Sequence, residues 1–172
     1  MNLFVIYIGG SHKQSLIELH DVRFVIADSI EETYEDLRRS WWGTPESLHL
    51  DCWGVLKSAD GYNICLKYEP SKNENKLYFL NLGGYDSKQF TELHKNVFVV
   101  APNKREAKVK ALKEIQDWKA YHKDTLFEVE NIFCLNDFLA KKGLYIHLQP
   151  TDTPSPFEFT CKYIKIGGTK QL

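Results

Sequence analysis

Two short arrays in this 172-residue chain carry side chains that bind metals. Glu18 and His20 stand two residues apart, and Glu92 and His94 repeat the spacing. On extended backbone such residues point to one face about 7 Å apart, so each array presents a carboxylate and an imidazole together. Convergence of the two arrays around a twofold axis would assemble four donors suited to zinc, manganese or iron. Metal-assisted hydrolysis or isomerisation is the chemistry that would follow. A structural role competes with this one, since Glu and His in a connection also cap backbone groups or pair with each other.

Other chemistry finds less support. The glycine pairs Gly9-Gly10 and Gly83-Gly84 could cup an anion through backbone amides, but neither phosphate-loop spacing follows them, and a sharp turn explains them better. His49, Asp51 and Cys52 could be drawn as a reactive cluster, yet on a regular strand Cys52 alternates away from Asp51. The four cysteines, at 52, 65, 134 and 161, lack metal-ribbon spacing and read as reduced thiols of a cytoplasmic protein. The acids show no spacing that selects glycosidase chemistry.

A different set of residues suits recognition. Trp42 follows Trp41, which lies on an apolar helical stripe, so Trp42 turns about 100° away, where it could anchor a partner or a ligand or, equally, pack against the sister copy. Residues 1 to 74 carry 7 basic and 12 acidic side chains, against 15 and 11 in residues 75 to 172. The basic excess concentrates around Lys104, Arg105 and Lys108, on a second helix. Such polarity can orient a charged protein partner or a second copy of the chain, although two solvated faces explain it equally. A net charge of -1 disfavours nucleic acid as a partner.

These residues are positioned by a duplicated set of elements. Leu3 aligns with Leu77 without gaps for some forty residues, and ten of the thirty positions from 3 to 32 are identical at that offset. Roughly two would arise from composition alone. Gly61 to Leu66 resumes the match with Gly143 to Leu148, after eight additional residues in the second copy. Tyr163 to Gly168 echoes the first strand and its glycine pair. The repeats are therefore expected at 1–74 and 75–156, with a closing strand in 157–172.

Each copy reads as strand, strand, helix and a strand pair. Leu3 to Ile8 is an apolar run suited to a strand buried on both faces, and Val22 to Ala27 forms the next. Ser29 with Glu32, and Asn103 with Glu106, have the spacing of helix caps. Ile30, Tyr34, Leu37 and Trp41 then form one buried stripe, and Ala107, Ala111, Leu112, Ile115 and Trp118 its counterpart. Asp60-Gly61 predicts a tight turn joining His49–Lys57 to Tyr62–Tyr68 in a hairpin. In the second copy Asn136 is expected to cap a short helix that Gly143 ends.

With 43% apolar and 26% charged residues, the composition is that of a folded globular protein. No apolar stretch approaches the roughly 20 residues needed to cross a bilayer, so no membrane association is expected. A repeat of about 75 residues would struggle to bury a core alone. The fold expected is α+β, two tandem ββαββ-like repeats in one pseudo-twofold body with mainly antiparallel sheets.

The duplicated pattern of glycine pair, Glu-Leu-His and Phe-Val-(Val/Ile)-Ala resembles a bacterial family catalogued as domain of unknown function 1543. Its members carry one or two copies, and the resemblance covers Leu3 to about Leu66 and Leu77 to about Leu148. It implies bacterial origin and no particular chemistry. The function expected is a non-catalytic protein-binding or regulatory module without cofactor, using Trp42 and the basic helix. The alternative is a divalent-metal hydrolase or isomerase built on Glu18, His20, Glu92 and His94.

Overall fold

The computed structural model describes residues 1–85, 88–115, 120–121 and 132–168. In chain order the elements are β1 (Asn2–Gly10), β2 (Leu19–Ala27), α1 (Tyr34–Ser40), β3 (His49–Val55), β4 (Ser58–Ala59), β5 (Tyr62–Lys67), β6 (Lys76–Tyr85), β7 (Glu92–Ala101), α2 (Lys104–Leu112), β8 (Ala120–Tyr121), β9 (Ile132–Cys134), α3 (Leu135–Ala140), β10 (Tyr145–Pro150) and β11 (Phe159–Lys165). Every described ladder is antiparallel. The class is α+β, as the pattern of strands and helices predicts. No described helix is long and apolar enough to cross a membrane.

The chain divides into two compact units, Met1–Lys57 with Ser155–Leu172, and Ser58–Pro154. Their boundaries differ from those of the sequence repeats, because β4 and β5 lie in the second unit and β11 in the first.

In the first unit the strands run in the order β11-β3-β1-β2. Ile6 and Ile8 on β1 face a core with Val25, Leu37, Trp41, Leu48 and Leu50, so α1 covers this side of the sheet. The opposite side is more open: Tyr7, expected to be buried in a doubly covered strand, is 38% exposed. Leu37 and Trp41 are buried as the stripe predicts, but the helix stops at Ser40 and Trp41 is already extended. The cap also differs in detail. Ser29 Oγ accepts from Glu32 N at 3.4 Å, while the Glu32 carboxylate accepts from the backbone of Asp28, one residue earlier than a capping box requires.

The second unit repeats the first hairpin. β6 pairs β7 in the register of β1 with β2, each pair shifted by the same offset: Leu3↔Ile26 becomes Leu77↔Val100, and Gly9↔His20 becomes Gly83↔His94. Asn103 caps α2 by accepting from Glu106 N at 3.0 Å, and Ala107 and Ala111 are buried beneath it. Trp118 of the expected stripe lies outside the described residues, as does the structure around it.

Two local expectations change. Asp60 (φ 50°) and Gly61 (φ 78°) form the predicted turn, but the hairpin it closes is β4 with β5. β3 pairs instead with β1 and β11, and β5 with β10. Local turn chemistry fixes the bend; it cannot choose the distant ladder that each flanking strand joins. Asn136 is inside α3 rather than its cap, since its side-chain carbonyl accepts from Leu77 N at 2.8 Å. Gly143 does end that segment with φ 73°.

The ladder of β5 with β10 joins matching parts of the two sequence copies. Cys65 pairs with His147, its own equivalent, while Ile64↔Leu148 and Leu66↔Ile146 flank it reciprocally.

Candidate metal centre

Three adjacent strands of the first unit bring four side chains together. β2 supplies His20, with Glu18 immediately before it, and the neighbour of His20 across the ladder is Gly9 of β1. Gly9 in turn pairs with His49 on β3. His20 and His49 therefore flank a residue without a side chain, which leaves the space between them to their imidazoles.

Asp51 reaches the same place through a bulge. The β1–β3 register passes from Ile8↔Leu50 to Tyr7↔Cys52, so Asp51 is the extra residue. A bulge interrupts regular alternation and re-aims a side chain. Asp51 and Cys52 thus do not follow the alternation expected of a regular strand.

The four N···O separations are close to uniform. His20 Nε2 lies 3.5 Å from Glu18 Oε2 and 3.5 Å from Asp51 Oδ2. His49 Nε2 lies 3.3 Å from Glu18 Oε1 and 3.5 Å from Asp51 Oδ1. For metal bonds of about 2.0–2.2 Å, neighbouring donors of a tetrahedron stand about 3.3–3.6 Å apart. The four N···O distances fall in that interval, although each carboxylate meets the two imidazoles through different oxygens, and among the described residues it is Glu18, His20 and His49 that offer single donor atoms all within 4.8 Å of one another.

Hydrogen bonding does not account for the cluster. His49 is 2% exposed, and its Nε2 and Asp51 Oδ2 are buried without a hydrogen-bond partner. His49 Nδ1 is 2.9 Å from the Ser47 carbonyl, which can only accept, so Nδ1 carries a proton. In neutral imidazole the lone pair then sits on Nε2, aimed at the carboxylates, the arrangement that second-shell carbonyls impose on metal-binding histidines. His49 Nε2 forms no hydrogen bond with either carboxylate.

Aromatic rings flank both histidines. Tyr7 stacks on His20 with centroids 5.3 Å apart and planes at 9°, and Tyr163 of β11 lies 4.5 Å from the His49 ring. Burial, followed by the negative charge of Asp51, pushes the Tyr7 hydroxyl above its usual pKa.

Among the described residues, Glu18, His20 and His49 are the one group of three donors gathered within 4.8 Å. The pair expected to complete Glu18 and His20 lies in the second unit and is engaged there. His94 Nδ1 contacts Asn81 Oδ1 at 2.9 Å, its Nε2 is 3.5 Å from Glu92 Oε2, and Asn81 also bonds Asn96.

Of the residues expected at a recognition surface, Trp42 belongs to the first unit and Lys104, Arg105 and Lys108 to the second. Trp42 is 54% exposed, tilted against Trp41, with its indole N–H 3.5 Å from Asp21 Oδ2. Lys104 and Arg105 are exposed on the first turn of α2, and Lys108 is half-buried.

Comparison with known proteins gives the site no activity. Residues 15–66, which include Glu18, His20, His49 and Asp51, match the model of a Domain of Unknown Function, DUF1543. The crystal structure of a protein Il1583 from Idiomarina loihiensis is similar at a TM-score of 0.72 and 29% identity, over 98% of this chain and 99% of that one. No curated protein matches.

Proposed function

We propose that the first unit is a divalent transition-metal-binding module whose ligands are Glu18, His20, His49 and Asp51. The observation that carries this reading is the buried Nε2 of His49, which makes no hydrogen bond yet faces two carboxylates at 3.3 and 3.5 Å, in a cluster whose donor atoms from Glu18, His20 and His49 lie within 4.8 Å of one another. Two neutral imidazoles and two carboxylates match the charge of a divalent ion, and this N/O set suits zinc, manganese or iron. A bound ion would supply Lewis acidity. Glu18, with its side chain 50% exposed, is the ligand best placed to give way to an incoming oxygen, whereas His49 anchors the site from within. Metal-assisted hydrolysis is the catalytic form of this reading.

A protein-binding role rests on Trp42, which is exposed but held by Trp41 and Asp21. The metal reading draws on the convergence of Glu18, His20 and His49, with Asp51 beside both histidines, and is preferred. Four free cysteines suit a reducing cytoplasm, and we place the protein there, in a bacterium.

We further infer that the chain arose by tandem duplication. The repeated hairpin register and the reciprocal ladder around Cys65 and His147 support that origin, since two equivalent strands meeting across a local twofold would pair in this way.

The metal proposal is tested by stripping reduced protein with a chelator and titrating it with zinc. One ion per chain is expected for wild type and for His94→Ala. Glu18→Gln with Asp51→Asn should lose that binding while circular dichroism stays unchanged. A wild-type protein that takes up no zinc, or a double variant that binds it equally, would refute the proposal.

A further inference from the structure

We propose that Cys52 and Cys161 form a redox-active thiol pair, and that their closure to a disulfide by a hydroperoxide weakens the metal centre through Asp51. This rests on the metal reading above and adds a regulatory step to it.

The two cysteines face each other directly across the β3–β11 ladder. Opposed residues of an antiparallel pair have Cα atoms about 4.5–5.5 Å apart, within the range that a disulfide spans. Among the described residues β11 is an edge strand paired only with β3, and its register slips between Cys161 and Ile164, so it can adjust without disturbing a second neighbour.

Their surroundings assign the roles. Cys161 is exposed and meets oxidant first. Cys52 is half-buried and less accessible to it. It is therefore the resolving partner.

Cys161 sulfur attacks the terminal oxygen of the hydroperoxide and the O–O bond breaks. The thiol proton leaves with the departing alkoxide as an alcohol, or as water when the oxidant is hydrogen peroxide. Cys52 sulfur then attacks the resulting sulfenic acid, forms the S–S bond and expels hydroxide, which takes the Cys52 proton and leaves as water. Two thiols lose two electrons in total, and the peroxide gains them.

The link to the metal is positional. Asp51 is the bulge residue immediately before Cys52. Closing a bond of about 2.04 Å between the two sulfurs draws Cys52 toward the edge strand. The bulge is the part of β3 least fixed by pairing, so the Asp51 carboxylate is displaced from His20 and His49.

The test treats reduced, full-length protein with hydrogen peroxide and maps the cross-links by peptide mass spectrometry. Zinc affinity is measured before oxidation, after it, and after re-reduction, by competition with a chromogenic chelator. A Cys52–Cys161 peptide, an affinity at least tenfold weaker after oxidation and recovery with reductant are expected. Cys161→Ser should bind zinc like wild type and show no response to peroxide. Cobalt substituted for zinc should give no thiolate charge-transfer band, since the pair is not a ligand.

The absence of the 52–161 linkage, or a linkage that leaves zinc affinity unchanged, overturns the inference. Either result in protein that binds zinc leaves the metal reading standing. Reduced protein that takes up no zinc removes the metal reading and its regulation together, whatever the peptide map shows.

Discussion

A Cβ placed on Gly9 would stand 2.6 Å from Nε2 of His49 and 2.9 Å from Oδ2 of Asp51. Glycine is thus required here for the side chains it faces across the ladder. Gly9→Ala should weaken zinc binding at least tenfold, about 1.4 kcal/mol, and destabilise the fold by about 1–3 kcal/mol through overpacking. Gly10→Ala is the control. Its Cβ would meet Trp41 Cζ2 at 2.7 Å and Ser47 Oγ at 2.8 Å, so it should lower thermal stability while largely sparing zinc affinity. Calorimetric titration and melting curves on both variants check the distinction; equal affinity losses would show that packing alone is being measured.

The sequence makes the local features legible and leaves the non-local ones hidden. The Asn103 cap, the Asp60-Gly61 turn and the Leu37–Trp41 stripe depend on neighbours a few residues away, and each is found in the structure. Half of the candidate centre is equally accessible, because Glu18 and His20 stand two residues apart in sequence. His49 and Asp51 are not, since their approach depends on β3 choosing β1 as its partner and on a bulge that spacing does not announce. One sequence signal does point to them. His122-Lys123-Asp124 repeats the His-x-Asp spacing of His49-Leu50-Asp51 at an offset of 73, one short of the 74 that relates Glu18 and His20 to Glu92 and His94, although these three residues lie outside the described ones.

Asp60 joins the turn to the next hairpin. Its Oδ2 accepts from Val100 N at 2.7 Å and from Lys110 Nζ at 2.6 Å. Asp60→Ala should cost about 1–3 kcal/mol because a backbone donor loses its partner. Asp60→Asn keeps an acceptor for Val100 while weakening the contact with Lys110, and also tolerates the positive φ, so it should cost less than the alanine. Urea unfolding of the two variants provides the comparison. If they lose equal stability, the bond to Val100 is not what matters.

The Lys76–Asp137 pair gives a pH signature for the second unit. Hydrogen bonding to Lys76 at 2.9 Å is the largest cause holding the Asp137 carboxyl below its ordinary 3.8. The folded state therefore favours the carboxylate. This contribution is fully present above the ordinary carboxylate value and disappears as pH falls through the lowered one. Lys76→Met should move the Asp137 titration upward in an NMR experiment, and its stability should converge with wild type in acid. Both side chains are well exposed, so the difference near neutrality should be small. An unmoved titration would assign the shift to something other than Lys76.

Tyr163 offers a test of how the buried histidine is shielded. Its ring lies 4.5 Å from that of His49, yet 62% of the residue is exposed, so one face covers the imidazole and the other meets water. The shell around a metal ligand governs solvent access and ligand orientation, and its loss typically costs 10- to 100-fold in affinity. Tyr163→Ala should accordingly lower zinc affinity about tenfold, chiefly through faster dissociation. Tyr163→Phe keeps the ring and should retain wild-type affinity if shielding is the cause. Stopped-flow release of zinc to a chelator distinguishes the two variants. A phenylalanine variant as impaired as the alanine would transfer the role from the ring to the hydroxyl.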